Sequence, residues 1–153
     1  MKSSRDTVLN VVVLLLLAGI VLFAGRSSVD DGEVRLVLPP ACDLARQDCG
    51  AGIAPGRSIV VSVRPQPLRG GHPFDFSVRL TGVEARSVSV RFEGVKMNMG
   101  QYSEALARGD DGGFAARMTL PVCVTGSMKW RATVLVDTRE GRLELPFELV
   151  SGE

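Results

Sequence analysis

From Arg57 to the end of the chain, apolar residues recur at every second position, and this alternation constrains the fold more than any other feature. Successive side chains of a β-strand point to opposite faces, so the pattern is typical of strands with one buried face. The alternating sets are Ile59, Val61, Val63; Phe74, Phe76, Val78, Leu80; Val88, Val90, Phe92; Phe114, Ala116, Met118, Leu120; Trp130, Ala132, Val134, Val136; and Leu143, Leu145, Phe147, Leu149. The sequence therefore predicts an all-β domain.

Short turn segments separate these runs: "RGG", "GVEA", "GDDGG", "TGS" and "TREG". Such spacing suits antiparallel strands joined by tight connections. We predict an immunoglobulin-like antiparallel β-sandwich of about seven strands over residues 57–150. Residues 26–56 are predicted to be mostly linker and loop with one short strand, "EVRLVL", at residues 33–38. The connection from Phe92 to Phe114 is predicted to be long and irregular, and such connections are often functional.

Residues 8–24 carry no charge and would form a helix of roughly 26 Å, close to the ~30 Å hydrocarbon core of a membrane. Lys2 and Arg5 precede this run, and acidic residues follow Arg26, so the positive-inside rule places residues 1–7 in the cytoplasm. A cleaved signal peptide would need a small residue where Leu22 stands. We predict a transmembrane anchor over residues 8–25 and export of everything after it.

Charge and motifs exclude several classes of function. The net charge of +1 provides no basic surface for a nucleic acid. The chain has one histidine and lacks the nucleophile elbow, phosphate loop and H-E-x-x-H motifs. We do not expect an enzyme.

Two methionines stand one residue apart in "GVKMNMGQY", residues 94–102, within a chain that has only five methionines. One interpretation is a further alternating strand whose Met97 and Met99 fill the core. Alternation also places both thioethers on one face, where they can meet a single ion. Gly94 and Gly100 allow the backbone to turn on either side.

The chain has three cysteines, and Cys42 and Cys49 lie close together in "CDLARQDC". In an oxidising compartment this spacing favours a disulfide between them. Cys123 is then left over, as a buried small residue, a reactive thiol, an intermolecular partner or a metal ligand; a pair with Cys42 or Cys49 also stays open.

Thioethers and thiolates select Cu(I). Met97, Met99, Cys123 and Met128 all lie near predicted loops and could converge at one end of a sandwich, which predicts a Cu(I) site. His72, a possible further ligand, is more consistent with a surface residue. Zinc is disfavoured because closely spaced Cys and His pairs are missing.

The segment "GVKMNMG" followed by "GGFAARMTLPVCVTGSMKWRATVLV" resembles a set of membrane-anchored proteobacterial proteins with a GVxMNMG motif and, more loosely, the FixH/YtkA-like family. The resemblance covers roughly residues 74–149. Met97 and Met99 match the methionine loop of that family, and Gly126 and Trp130 match its glycine and tryptophan. No histidine accompanies the methionines here, and Cys123 is not part of the family pattern.

The resemblance implies an immunoglobulin-like domain on the outer side of the bacterial inner membrane that assists copper handling or cytochrome oxidase assembly. We therefore expect a single-pass inner-membrane protein with a periplasmic C-terminal domain that binds Cu(I). Its partners would be the membrane and an oxidase subunit or copper chaperone. The alternative is a metal-free module whose Met-bearing loop and strand edge contact a subunit of a respiratory membrane complex.

Overall fold

A computed structural model describes residues 12–14, 33–96, 100–121 and 126–152. The chain divides into two compact units, Met1–Asp31 and Gly32–Glu153. In the first unit, residues 12–14 are helical and exposed, and the rest of the anchor predicted for residues 8–25 falls outside the described positions. No helix in the described ranges is long and apolar enough to cross a membrane.

The second unit is built from strands, which confirms the all-β prediction. The described part contains nine strands, and seven of them begin within residues 57–150, for which about seven were predicted. They are β1 (Val34–Leu36), β2 (Cys49–Ala54), β3 (Arg57–Arg64), β4 (Pro73–Thr81), β5 (Ser87–Gly94), β6 (Gln101–Arg108), β7 (Phe114–Thr119), β8 (Met128–Asp137) and β9 (Arg142–Ser151). They form one sheet in the order β1-β9-β8-β5-β6-β7-β4-β3-β2. Every pair is antiparallel except β1 with β9.

The sheet curls so that its two halves pack against each other. Phe92 of β5 makes edge-to-face contacts with Phe74 and Phe76 of β4, at centroid distances of 6.4 and 5.7 Å. β4 and β5 are separated by β6 and β7 in the strand order, so these rings meet across the interior. The faces predicted from alternation are the buried ones: Ile59, Val61, Val63, Val90, Trp130, Ala132, Val134, Val136, Leu145 and Leu149 all have no exposed surface.

The prediction of an irregular connection between Phe92 and Phe114 is wrong, because β6 lies within it. This strand pairs with β5 from Gln101 to Leu106. Of its side chains only Leu106 is buried, so β6 lacks the apolar alternation that predicts β3, β4, β5, β7, β8 and β9.

A second strand lies in the segment interpreted as linker and loop. β2 has Cys49, Ala51 and Ile53 on its buried face, with glycines at the exposed positions between them. Small side chains weaken the apolar signal of a strand, which explains why the sequence does not predict it. The short strand expected at residues 33–38 is present as β1.

Asp137, at the end of β8, is held by two neighbours. The guanidinium of Arg142 donates to its carboxylate at 2.6 Å, and Ser87 Oγ donates at 2.7 Å. The hydrogen bond from Arg142, followed by that from Ser87, holds the pKa of Asp137 below its ordinary value of 3.8, while partial burial opposes the shift. A depressed pKa stabilises the fold above the unfolded-state pKa, and the contribution is lost as the pH falls through the folded-state pKa.

We expect Asp137→Asn to lower the melting temperature at about pH 7, with a difference from wild type that shrinks as the pH falls below about 4. Thermal melts across that range measure the difference, and Asp110→Asn, at an exposed turn position, is the matched control. A difference that stays constant with pH, or that grows in acid, would contradict this assignment.

Candidate functional site

One end of the curled sheet collects the connections in which the predicted sulfur ligands lie. β5 ends there, since Gly94 pairs with Trp130 near the start of β8. β4 begins there and β7 ends there, since Pro73 pairs with Thr119. We call this end the Gly100 rim and define it by the described residues 69–72, 94–96, 100, 120–121 and 126–128.

Backbone hydrogen bonds tie the connections of the Gly100 rim to the strands beside them. Val95 N donates to Lys129 O at 3.0 Å, which fixes the chain leaving β5 against the beginning of β8. Gly71 N donates to Leu120 O at 3.0 Å, which fixes the chain entering β4 against the chain leaving β7. The two sulfur-bearing connections therefore depart from neighbouring positions at the same end of the sheet.

Positive-φ glycines close both sulfur-bearing segments. Gly100 has a φ of 81° and directly precedes β6. Gly126 has a φ of 89° and lies two residues before β8. Residues with a Cβ rarely adopt this conformation, so both positions favour glycine for a backbone reason. The expectation that Gly100 permits a turn agrees with its φ.

The predicted ligands differ in what the structure describes of them. Met97, Met99 and Cys123 lie outside the described residues. Met128 is the first residue of β8, and its side chain is 6% exposed within the hydrophobic core. Because the Met128 side chain is buried, an ion could contact its sulfur only at the edge of the hydrophobic core.

Beside the Gly100 rim lies an aromatic pair that the sequence does not identify as part of a site. The rings of Tyr102 and Trp130 meet edge to face with centroids 6.1 Å apart. Trp130 is fully buried, and its Nε1 donates to Ser151 Oγ at 3.2 Å. They are the only tyrosine and tryptophan of the chain, which is the signal that could have drawn attention to them.

An ion pair lies at the same end of the sheet, between the last residue of β3 and the residue before β2. Arg64 donates two hydrogen bonds to the carboxylate of Asp48, at 2.7 and 2.9 Å. These hydrogen bonds hold the pKa of Asp48 below its ordinary value, with a smaller contribution from Gln66. Both partners of the ion pair are well exposed, so it contributes little to stability.

The structure describes the other residues considered as ligands or disulfide partners, namely Cys42, Cys49 and His72. Cys42 and Cys49 form a disulfide, with Cα atoms 5.9 Å apart, so neither is left to pair with Cys123. His72 is exposed and lies next to Gly71 at the Gly100 rim, as expected for a surface residue. In the ranges that the structure describes, no group of three or more His, Cys, Asp or Glu side chains could hold a metal.

Comparison with known proteins adds little to this geometry. No family model matches the chain, and no curated protein matches it. Among solved structures, a crystal structure of an engineered protein aligns over 63% of this chain at 18% identity, with a TM-score of 0.45. The chain spans about a fifth of that protein, since the alignment covers 20% of its length. A similarity at this level supports no argument about fold or function.

Proposed function

We propose that this protein binds Cu(I) through the sulfur atoms of Met97, Met99 and Cys123, with Met128 as a further ligand. The observation that carries the proposal is that the residues flanking both sulfur-bearing segments lie at the Gly100 rim. Lys96 and Gly100 bound the methionine segment, and Pro121 and Gly126 bound the cysteine segment. Ligands from separate parts of the sequence can meet one ion only if their connections reach the same end of the sheet.

The donor set suits a soft ion. Thioether and thiolate sulfur select Cu(I) over the hard cations, which take oxygen ligands. An ion bound at the Gly100 rim would lie next to the buried side chains of Met128 and Trp130. An apolar surrounding of this kind limits the access of water, a recognised means by which proteins tune a metal site.

The fold that we propose for the exported domain is an immunoglobulin-like sandwich of β3 to β9. In its support, β3, β4 and β7 are neighbours in one half of the sheet, and β6, β5, β8 and β9 in the other. The chain passes from one half to the other three times, between β4 and β5, between β6 and β7 and between β7 and β8, as in Greek-key sandwiches.

The cellular role that we propose follows from the N-terminal run and from the resemblance to the FixH/YtkA-like family. The uncharged residues 8–24 would anchor the chain in the bacterial inner membrane, with the sheet on the periplasmic side. There the protein would hold or deliver copper during cytochrome oxidase assembly, with an oxidase subunit or a copper chaperone as its partner.

The test is a competition for Cu(I) between the full chain, purified in detergent, and a chromogenic chelator under anaerobic reducing conditions. Replacing both predicted ligands, Met97→Leu with Met99→Leu, keeps apolar volume but removes two donors. We expect the affinity for Cu(I) to fall about tenfold or more. Met118→Leu, which removes a thioether outside the ligand set, is the matched control and should bind as wild type does. Unchanged affinity in the double variant would reject the proposal.

The second candidate function is a metal-free interaction module, and it has its own observation. Val95 and Tyr102, on either side of the methionine segment, are both exposed large side chains, at 40% and 42%. Exposed apolar and aromatic side chains beside methionines form adaptable contact surfaces. A ligand that binds the native state must raise its stability, so thermal melts that show no Cu(I)-dependent stabilisation would favour this second function.

A further inference from the structure

Among the described residues, β6 is paired along its length on one side only. Residues 101–106 pair with β5, but on the other side the strand meets β7 only at Ala107 and Arg108. β7 continues from Ala116 to Thr119 in register with β4, and no described residue pairs with it on its β6 side. In the described part of the chain, the two strands therefore separate from the Ala107–Ala115 pair toward the Gly100 rim.

An unpaired strand edge presents a row of backbone N–H and C=O groups, and proteins usually protect such edges. The outer edges of this sheet are protected: β1 has three residues, and β2 is interrupted by a bulge between Gly52 and Ala54. β6 has eight residues, no proline and no bulge, and its pairing with β5 is regular. Its free edge is therefore the one best suited to receive another strand.

The side of β6 that faces the interior is open where the strand is unpaired. Glu104 pairs with Val90, which is fully buried, so both side chains lie on the same face of the sheet. Glu104 and Tyr102 are nevertheless exposed, whereas Leu106, next to the pairing with β7, is buried. A strand added to this edge would cover these side chains.

The Glu104 carboxylate determines which side chain an added strand can place opposite it. No side chain in the described ranges pairs with its carboxylate, although it lies on the face that an added strand would cover. An unpaired carboxylate placed against an apolar strand would be destabilised by its partial desolvation, whereas a cation opposite it would be favourable. A second copy of β6 paired antiparallel about its centre would place two Glu104 carboxylates close together, which disfavours self-association through this edge.

In an extended peptide, the side chains two residues before and two residues after the cation opposite Glu104 lie on the same face as that cation. One flank would lie near Tyr102, and Ala116 and Met118 of β7 are partly buried apolar side chains on the opposite side of the opening. We propose that the free edge of β6 binds an extended peptide segment of a partner protein, in which a lysine or arginine lies between two apolar residues at alternating positions. This is β-strand addition with charge selection, and it does not depend on copper binding.

The experiment measures fluorescence anisotropy of a labelled, end-blocked probe peptide, Thr-Val-Thr-Lys-Thr-Val-Thr, with the full chain in detergent and a metal chelator present. The control peptide has glutamate in place of lysine. We expect saturable binding of the lysine peptide that is about fivefold or more tighter than binding of the glutamate peptide. Glu104→Lys should reverse this preference, and Asp110→Lys, with the same change in net charge at an exposed turn, should leave it unchanged.

Two further peptides separate strand addition from simple charge attraction. One is N-methylated at the two valines and the lysine and the other at the four threonines, so that each loses the hydrogen-bond donors of one edge. We expect at least one of them to lose binding. Equal binding of the lysine and glutamate peptides, retention of binding by both methylated peptides, or the absence of saturable binding up to about 1 mM would overturn the proposal. Because chelator is present throughout, none of these outcomes reflects a failure to bind Cu(I).

Discussion

Replacing Trp130 with alanine is expected to lower the free energy of unfolding by about 3–5 kcal/mol, the usual cost of truncating a buried tryptophan. Trp130 is the largest fully buried side chain in the described part of the chain, and it lies on β8, which is paired on both sides, with β9 and with β5. Its removal leaves a cavity that rigid strands on either side fill only in part. Ser151 Oγ, itself buried, also loses the indole donor.

Urea denaturation of the full chain in detergent, followed by far-UV circular dichroism, measures the change, with the midpoint and slope compared between variants. Val150→Ala, next to Ser151 on β9, is the matched control; its side chain is 40% exposed, and the expected loss is about 0.5 kcal/mol or less. A loss below about 1 kcal/mol for Trp130→Ala would mean that the tryptophan is not packed as described.

Joint replacement of Cys42 and Cys49 by alanine is expected to lower the free energy of unfolding by about 2–3 kcal/mol. The disulfide closes a short loop, and a cross-link over so few residues removes about that much conformational entropy from the unfolded chain. The loop is well anchored: Leu44 is fully buried, and its backbone N donates to Glu148 O of β9 at 3.0 Å. Without the disulfide, the unfolded chain has more conformational entropy, and more of it is lost when the loop folds.

The same denaturation experiment, carried out without reductant, tests this effect. Arg46→Ala is the matched control, because it lies in the same loop and its side chain is 82% exposed. Its ion pair with Asp43 is an exposed one and contributes little. If the double cysteine variant unfolds at the same urea concentration as wild type, the loop does not depend on its disulfide.

The sequence predicts the buried faces of the sheet because burial on one side of a strand imposes a period of two on the apolar residues. Ile59, Val61 and Val63 of β3 show this directly: all three are fully buried. This period of two is missing where a strand is exposed on both faces. β6 has exposed side chains on both of its faces toward the Gly100 rim, so no alternation exists to be recognised.

The sequence suggests which residues belong to the proposed site, but it cannot place them relative to one another. Soft donors at Met97, Met99 and Cys123 are visible in a chain with few sulfur-containing residues. Their relation in space depends on which strands pair and in what register, because Gly94 meets Trp130 only through the β5–β8 ladder. Long-range pairing of this kind is set by the packing of the whole sheet and leaves no local pattern. The separation of β6 from β7 is invisible for the same reason.

We propose above that sulfur atoms from two connections at the Gly100 rim bind one Cu(I) ion. X-ray absorption at the copper edge, recorded on the full chain loaded anaerobically with one equivalent of Cu(I), tests it most directly. We expect a first coordination shell of sulfur alone, which loses sulfur scatterers in the Met97→Leu, Met99→Leu variant. A shell containing nitrogen or oxygen, as a site built on His72 would give, or a spectrum unchanged in that variant, would contradict it.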